Sequence, residues 1–125
     1  MIDGVRIVQC RVCDLTYLNP RDEAEIAERN RTRDLVAHFA PMARRQRIHF
    51  ELRLAKILAI AGRPGRLLDV GCAAGAFLTL ACERGWKTVG VDVNTLATAY
   101  ARESLGLDVV TGTLGDIAEQ CRGMK

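Results

Sequence analysis

The chain has 125 residues, of which 49% are hydrophobic and 26% charged, a composition typical of a folded domain with one modest core. Its net charge of +3 reflects an arginine bias, but acidic residues lie among the arginines, which favours a solvated helix surface over nucleic-acid binding. No apolar run approaches the ~20 residues that span a bilayer, and the first residues lack a signal-peptide pattern. We therefore expect a cytoplasmic protein with neither a membrane nor a nucleic-acid partner.

Five cysteines, an odd number, predict reduced thiols rather than a disulfide framework. Cys10 and Cys13 form a C-x-x-C pair between residues 5–9, whose alternation predicts a strand with one buried face, and a predicted turn over residues 17–21. Two thiolates at this spacing can bind one zinc ion from a tight turn, but structural zinc requires four ligands. The pair is thus half a zinc site, and inert thiols are favoured over bound zinc.

Residues 22–62 are predicted to be helical. A first helix is expected from about Asp22 to Phe39, with acidic residues at its positive N-terminal end, and a second from Met42 to Ala61. Pro64 ends the second helix because it lacks an amide hydrogen and restricts the residue before it. The apolar stripe of the second helix is expected to comprise Ile48, Leu52, Ala55, Leu58 and Ala59, widened by Leu54, Ile57 and Ala61.

After residue 65 the pattern alternates between short apolar runs and helical spacing. Strands are predicted over residues 67–70, 88–91 and 107–111, and helices over residues 76–84, 95–104 and 114–120. Such an alternation predicts a parallel sheet with right-handed crossovers. The fold class expected from the pattern is therefore α/β, with a partial parallel sheet of about three strands preceded by two helices.

The turn over residues 71–75 is the strongest candidate for a ligand site. Gly71 and Gly75 permit positive φ and close approach, and the amides that open the next helix are unsatisfied donors. Ligands of an open parallel sheet lie beyond the carboxyl ends of its strands, where Asp69 and Asp92 are found. A carboxylate about 20 residues after the first glycine can accept hydrogen bonds from both ribose hydroxyls. The sequence thus predicts a nucleotide site.

Residues 67–75 and 89–92 together resemble the class I S-adenosylmethionine-dependent methyltransferases, whose turn follows the pattern G-x-G-x-G. The resemblance implies a Rossmann-like sheet and methyl transfer from S-adenosyl-L-methionine. It places Asp69 near the methionyl amino group, Asp92 on the ribose and Val93 on the adenine. The remaining residues that it implies in the cofactor site are Gly71, Cys72, Ala73, Gly75, Thr113 and Leu114.

Two positions depart from this family pattern. Ala73 replaces the middle glycine, a small change that we expect to be tolerated, and Thr113 replaces a frequent aspartate, which weakens the expected contact with the adenine amino group.

The cysteine pair followed by residues 15–21 resembles the second half of a small zinc ribbon found before some bacterial methyltransferase domains. We expect three segments: a partial zinc-ribbon-like hairpin (1–21), a helical lead-in (22–62) and the N-terminal half of a methyltransferase domain (63–125).

A complete sheet of this family is larger than the three strands predicted here, so we expect a chain truncated at both ends that retains the cofactor half. The first strand, normally central, would then be an apolar edge, and such edges invite pairing with another chain. We therefore expect marginal stability or self-association. His38 and His49 lie on predicted helices before the turn and are expected to be exposed, so no catalytic residue is assigned.

Alternative functions remain open. The family acts on small-molecule or sugar-type acceptors, but the chain could instead be a non-catalytic fragment that binds the cofactor or serves as an interaction module. An NAD(P)-dependent oxidoreductase is less favoured, because its G-x-G-x-x-G motif would fall on Gly71, Ala73 and Ala76 and lose two glycines.

Overall fold

The computed structural model describes residues 6–19, 22–39, 41 and 43–122. Val5, Pro20, Arg21 and Met42, which the sequence placed in a strand, a turn and a helix, lie outside the described residues. The elements are β1 (Arg6–Gln9), β2 (Thr16–Asn19), α1 (Glu23–Thr32), α2 (Leu35–Phe39), α3 (Ala43–Ala61), β3 (Arg66–Val70), α4 (Ala76–Glu83), β4 (Lys87–Asp92), α5 (Thr95–Glu103), β5 (Val109–Thr111) and α6 (Leu114–Arg122).

The main sheet has three parallel strands in the order β3-β4-β5. Asp69 pairs with Gly90, and Gly90 pairs with Val109, so the three carboxyl ends meet at one edge of the sheet. The predicted fold class, α/β with a partial Rossmann-like parallel sheet, is confirmed. Strand β5 begins later than predicted because the Leu107 amide donates to the Ala101 carbonyl (3.0 Å) and so belongs to the end of α5.

Two apolar clusters hold the helices on the sheet. The half-buried Leu67 of β3 packs against both of them. One cluster joins α3 and α4 and consists of Leu54, Phe77, Leu80, Ala81 and Trp86. The other joins the turn after β3 to α4, α5 and β5, and consists of Cys72, Leu78, Ala101 and Val109.

Helix α3 buries one side of the apolar stripe that the sequence predicted and leaves its expected centre exposed. Ile48 and Leu52 of the predicted stripe are 55% and 60% exposed, whereas Leu54 is buried and Phe50 and Ile57 pack beside it. The expected centre of the stripe was therefore wrong, whereas Leu54 and Ile57, which were expected to widen it, are confirmed as core-facing. The helix is apolar over a wide arc, and contact with α4 selects the face that carries Phe50, Leu54 and Ile57 at i, i+4 and i+7.

The first predicted helix is interrupted. Helix α1 starts as expected, with the Asp22 side chain accepting from the Glu25 amide (3.0 Å), but it ends at Thr32 because Arg33 is extended (φ −61°, ψ 133°). Asp34 then caps α2 by accepting from the Ala37 amide (2.9 Å). The expectation of one continuous helix was wrong, because an aspartate within a helical pattern can cap a new helix instead of continuing the old one.

The amino-terminal hairpin pairs β1 with β2 in antiparallel register, from Arg6 opposite Asn19 to Gln9 opposite Thr16. Residues 17–19, predicted to lie in a turn, are therefore strand. The predicted buried face of the first strand is also wrong, since Ile7 is largely exposed. Alternation along a strand shows which side chains share a face, but it cannot show whether another element covers that face.

Strand β3 pairs with β4 on one side, and no described strand pairs with its other side. On this strand Leu68 is 44% and Val70 57% exposed. The apolar edge expected from the sequence is thus present in the described sheet. Among the described helices, none is long and apolar enough to cross a membrane.

Candidate functional site

A cavity of about 210 Å³ opens at the carboxyl end of β3. One wall is formed by Asp69 and the turn that follows the strand, and the opposite wall by the lead-in helices α2 and α3. The lining residues are Phe39, Gln46, Phe50, Arg53, Asp69, Gly71, Cys72, Ala73, Ala74, Ala76 and Phe77.

The turn after β3 has the backbone that its glycines predict. Gly71 and Gly75 adopt φ of +80° and +83°. The amides of Gly71 and Cys72 both donate to the Val91 carbonyl (2.8 and 3.1 Å), which ties the turn to β4. Gly75 is the N-cap of α4 and supplies no side-chain acceptor, so the first amides of this helix have neither an intrahelical partner nor a side-chain cap.

Ala73 also adopts a left-handed conformation, with φ of +49°. This is the position at which the family pattern has a glycine, and the structure supplies the physical reason. A Cβ in the left-handed region costs roughly 1 kcal/mol, so alanine is accommodated here with backbone strain. The Ala73 amide donates to Asp92 Oδ2 (2.8 Å), a hydrogen bond that helps hold this conformation.

We predict that the free energy of unfolding is about 1 kcal/mol higher for Ala73→Gly than for Ala74→Gly, because glycine relieves the Cβ penalty only at the positive φ of Ala73. Urea denaturation measures the effect. The control is Ala74→Gly, since Ala74 has no positive φ and should lose stability when its chain becomes more flexible. Equal losses from the two substitutions would show that Ala73 is not strained.

Asp92 joins the turn to the start of α5. Its Oδ2 accepts from the Ala73 amide and its Oδ1 from the Asn94 amide, both at 2.8 Å. Each carboxylate oxygen has a second lone pair, so these bonds leave acceptor capacity for another donor. Asp92 thus both organises the turn and remains able to accept from a ligand hydroxyl.

Asp69 and Arg53 place opposite charges on the two walls of the cavity. Burial raises the pKa of Asp69 above its usual value, the Arg53 guanidinium opposes that rise, and the Asp92 carboxylate adds to it. The cavity therefore presents a carboxylate on its sheet side and a guanidinium on its helix side.

Cys72 lies in the turn but is buried within the core. Burial, with smaller contributions from Asp92 and Asp69, raises the pKa of its thiol to about 12. The thiol is therefore protonated at neutral pH, and Cys72 is a packing residue rather than a nucleophile.

The other predicted site residues lie outside the cavity lining. Gly75 is buried beneath the turn, Val93 is half-buried after Asp92, and Thr113 and Leu114 are exposed where α6 begins. The amide and hydroxyl of Thr113 both donate to Asp116 Oδ2 (2.7 and 2.8 Å), and these bonds lower the pKa of Asp116. Asp116 thus ties Thr113 to the first turn of α6, and the predicted place of Thr113 beside an adenine ring stays a prediction.

The cysteine pair lies in the turn of the hairpin, where Cys13 is exposed and Cys10 half-buried. The Val12 amide donates to Cys10 Sγ (3.4 Å); this bond, followed by hydrogen bonds from Cys13, lowers the pKa of Cys10. Within the described part of the chain no group of three or more histidine, cysteine, aspartate or glutamate residues could hold a metal ion. The described residues therefore give no support for the zinc ion that the cysteine pair suggested.

The helical wall of the cavity was not predicted from the sequence. It is formed by Phe39 of α2 and by Gln46, Phe50 and Arg53 of α3. The last three are spaced i, i+4 and i+7, so they share one helix face. That spacing was a usable signal. It was overlooked because a phenylalanine between polar residues does not form the apolar stripe by which a core-facing helix is recognised.

The sequence is similar to known methyltransferases. The family model for a methyltransferase domain matches residues 25–113. The ribosomal RNA small subunit methyltransferase C of Alcanivorax borkumensis is 34% identical over 64 residues, covering 50% of this chain and 20% of that protein.

Two solved structures show partial similarity. The PH0226 protein of Pyrococcus horikoshii OT3 aligns with 74% of this chain and 40% of its own, with 23% identity and a TM-score of 0.48. Magnesium protoporphyrin IX methyltransferase from Synechocystis PCC 6803, solved with bound SAM, aligns with 74% of this chain and 50% of its own, with 19% identity and a TM-score of 0.47. The chain therefore spans half or less of these proteins' lengths. Because the family model covers well over half of the sequence, including the turn and both strand-end aspartates, the chain belongs to the methyltransferase-domain family.

Proposed function

We propose that this chain binds S-adenosyl-L-methionine and acts in methyl transfer from it, with the methionine part of the cofactor in the cavity after β3. The observation that carries the proposal is the pair of opposite charges on the cavity walls, Asp69 and Arg53. A methionine zwitterion carries one ammonium and one carboxylate, which these two side chains complement.

The backbone of the turn supports the same proposal. A Cβ built on Gly71 would meet no atom of the described residues within 4 Å, so the space above this residue is open to a ligand. The first amides of α4 lie beside it, where a helix N-terminus favours negative charge. Beyond the cavity, Asp92 retains acceptor capacity for the ribose hydroxyls, and Val93, Thr113 and Leu114 are the residues proposed to border the adenine.

The chain's own part in the reaction is alignment. Bound S-adenosyl-L-methionine supplies the methyl group and the leaving group, and the protein holds the reacting carbon in line with an acceptor. Among the residues lining the cavity, Cys72 is protonated at neutral pH and Asp69 is assigned to the ammonium group. We therefore assign no general base. A small-molecule or sugar-type acceptor remains the prediction from the family resemblance.

Calorimetric titration with S-adenosylhomocysteine tests the proposal. The wild-type chain should bind, and Asp69→Asn should weaken binding about tenfold, because one charge-assisted hydrogen bond to the ligand ammonium is lost. Affinity in the wild type should also fall as the pH drops through the raised pKa of Asp69, since the protonated carboxyl carries no charge. The Asn variant should lack this dependence.

Asp108→Asn is the matched control, since Asp108 is an exposed carboxylate on the segment before β5. It should leave affinity unchanged. Absence of binding by folded wild-type protein would refute the cofactor proposal for this chain.

A second candidate function, cofactor binding without catalysis, is favoured by the open edge of β3, since the described sheet provides the cofactor turn but no assigned acceptor residue. Methylation assays with the isolated chain separate the two. Transfer of a labelled methyl group to any acceptor rejects the non-catalytic role, whereas S-adenosylhomocysteine binding without transfer supports it.

We also propose that a second copy of the chain pairs along β3. In an antiparallel pair centred on Leu68, this residue meets its counterpart and Asp69 faces Leu67 rather than another aspartate. The two Leu68 side chains then make an apolar contact at the centre, each Val70 lies opposite Arg66 of the other copy, and no like charges are directly opposed. The edge is thus complementary to itself.

Sedimentation at tens of micromolar should show self-association of the wild-type chain and its loss in Leu68→Lys, because a lysine on an edge strand opposes pairing. Ile60→Lys is the control, since Ile60 is an apolar residue of α3, not of the strand, and is 90% exposed. A monomeric wild-type chain, or equal effects of the two lysines, would contradict pairing along β3.

A further inference from the structure

Asn94 is a fully buried polar residue that joins three parts of the molecule. Its Oδ1 accepts from the Ala97 amide (2.8 Å) and caps α5. Its Nδ2 donates to the carbonyls of Asn30 and Arg33, each at 2.8 Å. Its backbone amide donates to Asp92 Oδ1. An N-cap needs only the acceptor, so the two bonds from Nδ2 to α1 are additional to the capping role.

These two bonds fix the place where α1 stops. The last carbonyls of a helix have no intrahelical partner, and Asn94 supplies donors to two carbonyls at this end of α1. Thr95 adds a third, with Oγ1 donating to the Arg31 carbonyl (3.3 Å). The break between α1 and α2 is therefore held by Asn94 and Thr95, which lie two and three residues after Asp92.

The break also determines where α2 begins. This helix starts two residues after Arg33, packs against α5 and ends at Phe39, which lines the cavity opposite Asp69. Helix α3, which carries Arg53, packs separately on α4. The position of the Phe39 wall thus depends on the anchor at Asn94, whereas the Arg53 wall has its own support.

We propose that Asn94 is a positioning residue that couples the lead-in helices to the cofactor site, setting the Phe39 wall over the methionine end while orienting Asp92. This inference rests on the proposed function. It predicts that the Nδ2 bonds of Asn94 contribute to the affinity for ligands that carry the amino-acid part of the cofactor. They should contribute little to the affinity for nucleoside ligands that lack this part.

Asn94→Ser tests the coupling, because serine keeps an N-cap acceptor but cannot donate to both carbonyls. Affinity for S-adenosylhomocysteine should fall about tenfold, as expected from the loss of two hydrogen bonds, whereas affinity for 5′-methylthioadenosine should change less than about twofold. A purely structural N-cap would leave both affinities unchanged, and a general loss of structure would lower both.

A double-mutant cycle with Phe39→Ala asks whether Asn94 acts through this wall. In the Phe39→Ala background, Asn94→Ser should have less than about a twofold further effect on S-adenosylhomocysteine binding. Additive effects would overturn the proposal.

Thr95→Ala is a milder variant, should Asn94→Ser not fold, since the exposed Thr95 makes the third bond to the end of α1. Thr95→Ala should also lower the affinity for S-adenosylhomocysteine more than that for 5′-methylthioadenosine, but by a smaller factor than Asn94→Ser.

The outcomes distinguish the two proposals. Wild-type binding of S-adenosylhomocysteine without selective loss in Asn94→Ser and Thr95→Ala overturns the coupling and leaves the cofactor assignment intact. Failure of the folded wild-type chain to bind overturns both.

Discussion

Gly75→Ala is expected to lower the free energy of unfolding by about 3 kcal/mol. Its φ of +83° costs an alanine roughly 1 kcal/mol, and a Cβ there would lie 2.5 Å from Leu107 Cδ1 and 3.3 Å from Ala101 Cβ. The end of Leu107 can rotate away, but the methyl group of Ala101 is fixed to α5. Overpacking of this kind typically costs about 1–3 kcal/mol, which adds to the backbone penalty.

Gly71→Ala is the matched control for Gly75→Ala. Gly71 has nearly the same φ, +80°, but no atom of the described residues lies within 4 Å of the Cβ position. Only the backbone penalty of about 1 kcal/mol should remain. Urea denaturation of both variants separates conformation from packing. Similar losses at the two positions would contradict close packing of the turn against α5.

Asp92→Ala is expected to weaken binding of S-adenosylhomocysteine about a hundredfold. The substitution removes the proposed acceptor for the ribose hydroxyls, and hydrogen bonds to a charged group contribute about 1.5–3 kcal/mol each. It also leaves the amides of Ala73 and Asn94 without their acceptor, so the turn and the start of α5 lose a common anchor. We expect a loss of stability of about 2 kcal/mol in addition to the loss of affinity.

Calorimetry and urea denaturation measure the two effects of Asp92→Ala separately. Asp92→Asn should lie between the wild type and the alanine variant, because an amide keeps one acceptor oxygen but turns a donor toward one of the two backbone amides. Asp108→Ala removes an exposed carboxylate as a control. An unchanged affinity in folded Asp92→Ala protein would exclude the ribose role.

Much of the parallel sheet could be predicted from the sequence because its signals are local. Gly71 and Gly75 both adopt the positive φ that marks a tight turn, and Asp69 and Asp92 lie at the carboxyl ends of neighbouring strands as expected. A short apolar run bounded by glycine predicts a strand from neighbouring residues alone, although it does not show whether the strand is covered on both sides. The cofactor-side half of the candidate site was therefore accessible from residue order alone.

The helical wall of the cavity was not accessible in this way. Arg53 and Phe39 face Asp69 only because α2 and α3 pack across the end of the sheet. The break at Arg33 shows the same limit, since the Asn94 side chain that holds the end of α1 lies about 60 residues further along the chain. Pairs so distant in sequence leave no periodic signal in either segment.

By itself, the sequence determined the order of strands and helices after residue 65, the positive φ of Gly71 and Gly75 and the methyltransferase resemblance, because these depend on neighbouring residues and on short spacings. Only the tertiary structure decided which face of α3 is buried, that Ala73 is strained in its turn, and that Asp92 is committed to two backbone amides. The reason is physical: burial and backbone strain are set by contacts between elements, and the same local pattern is compatible with several such contacts.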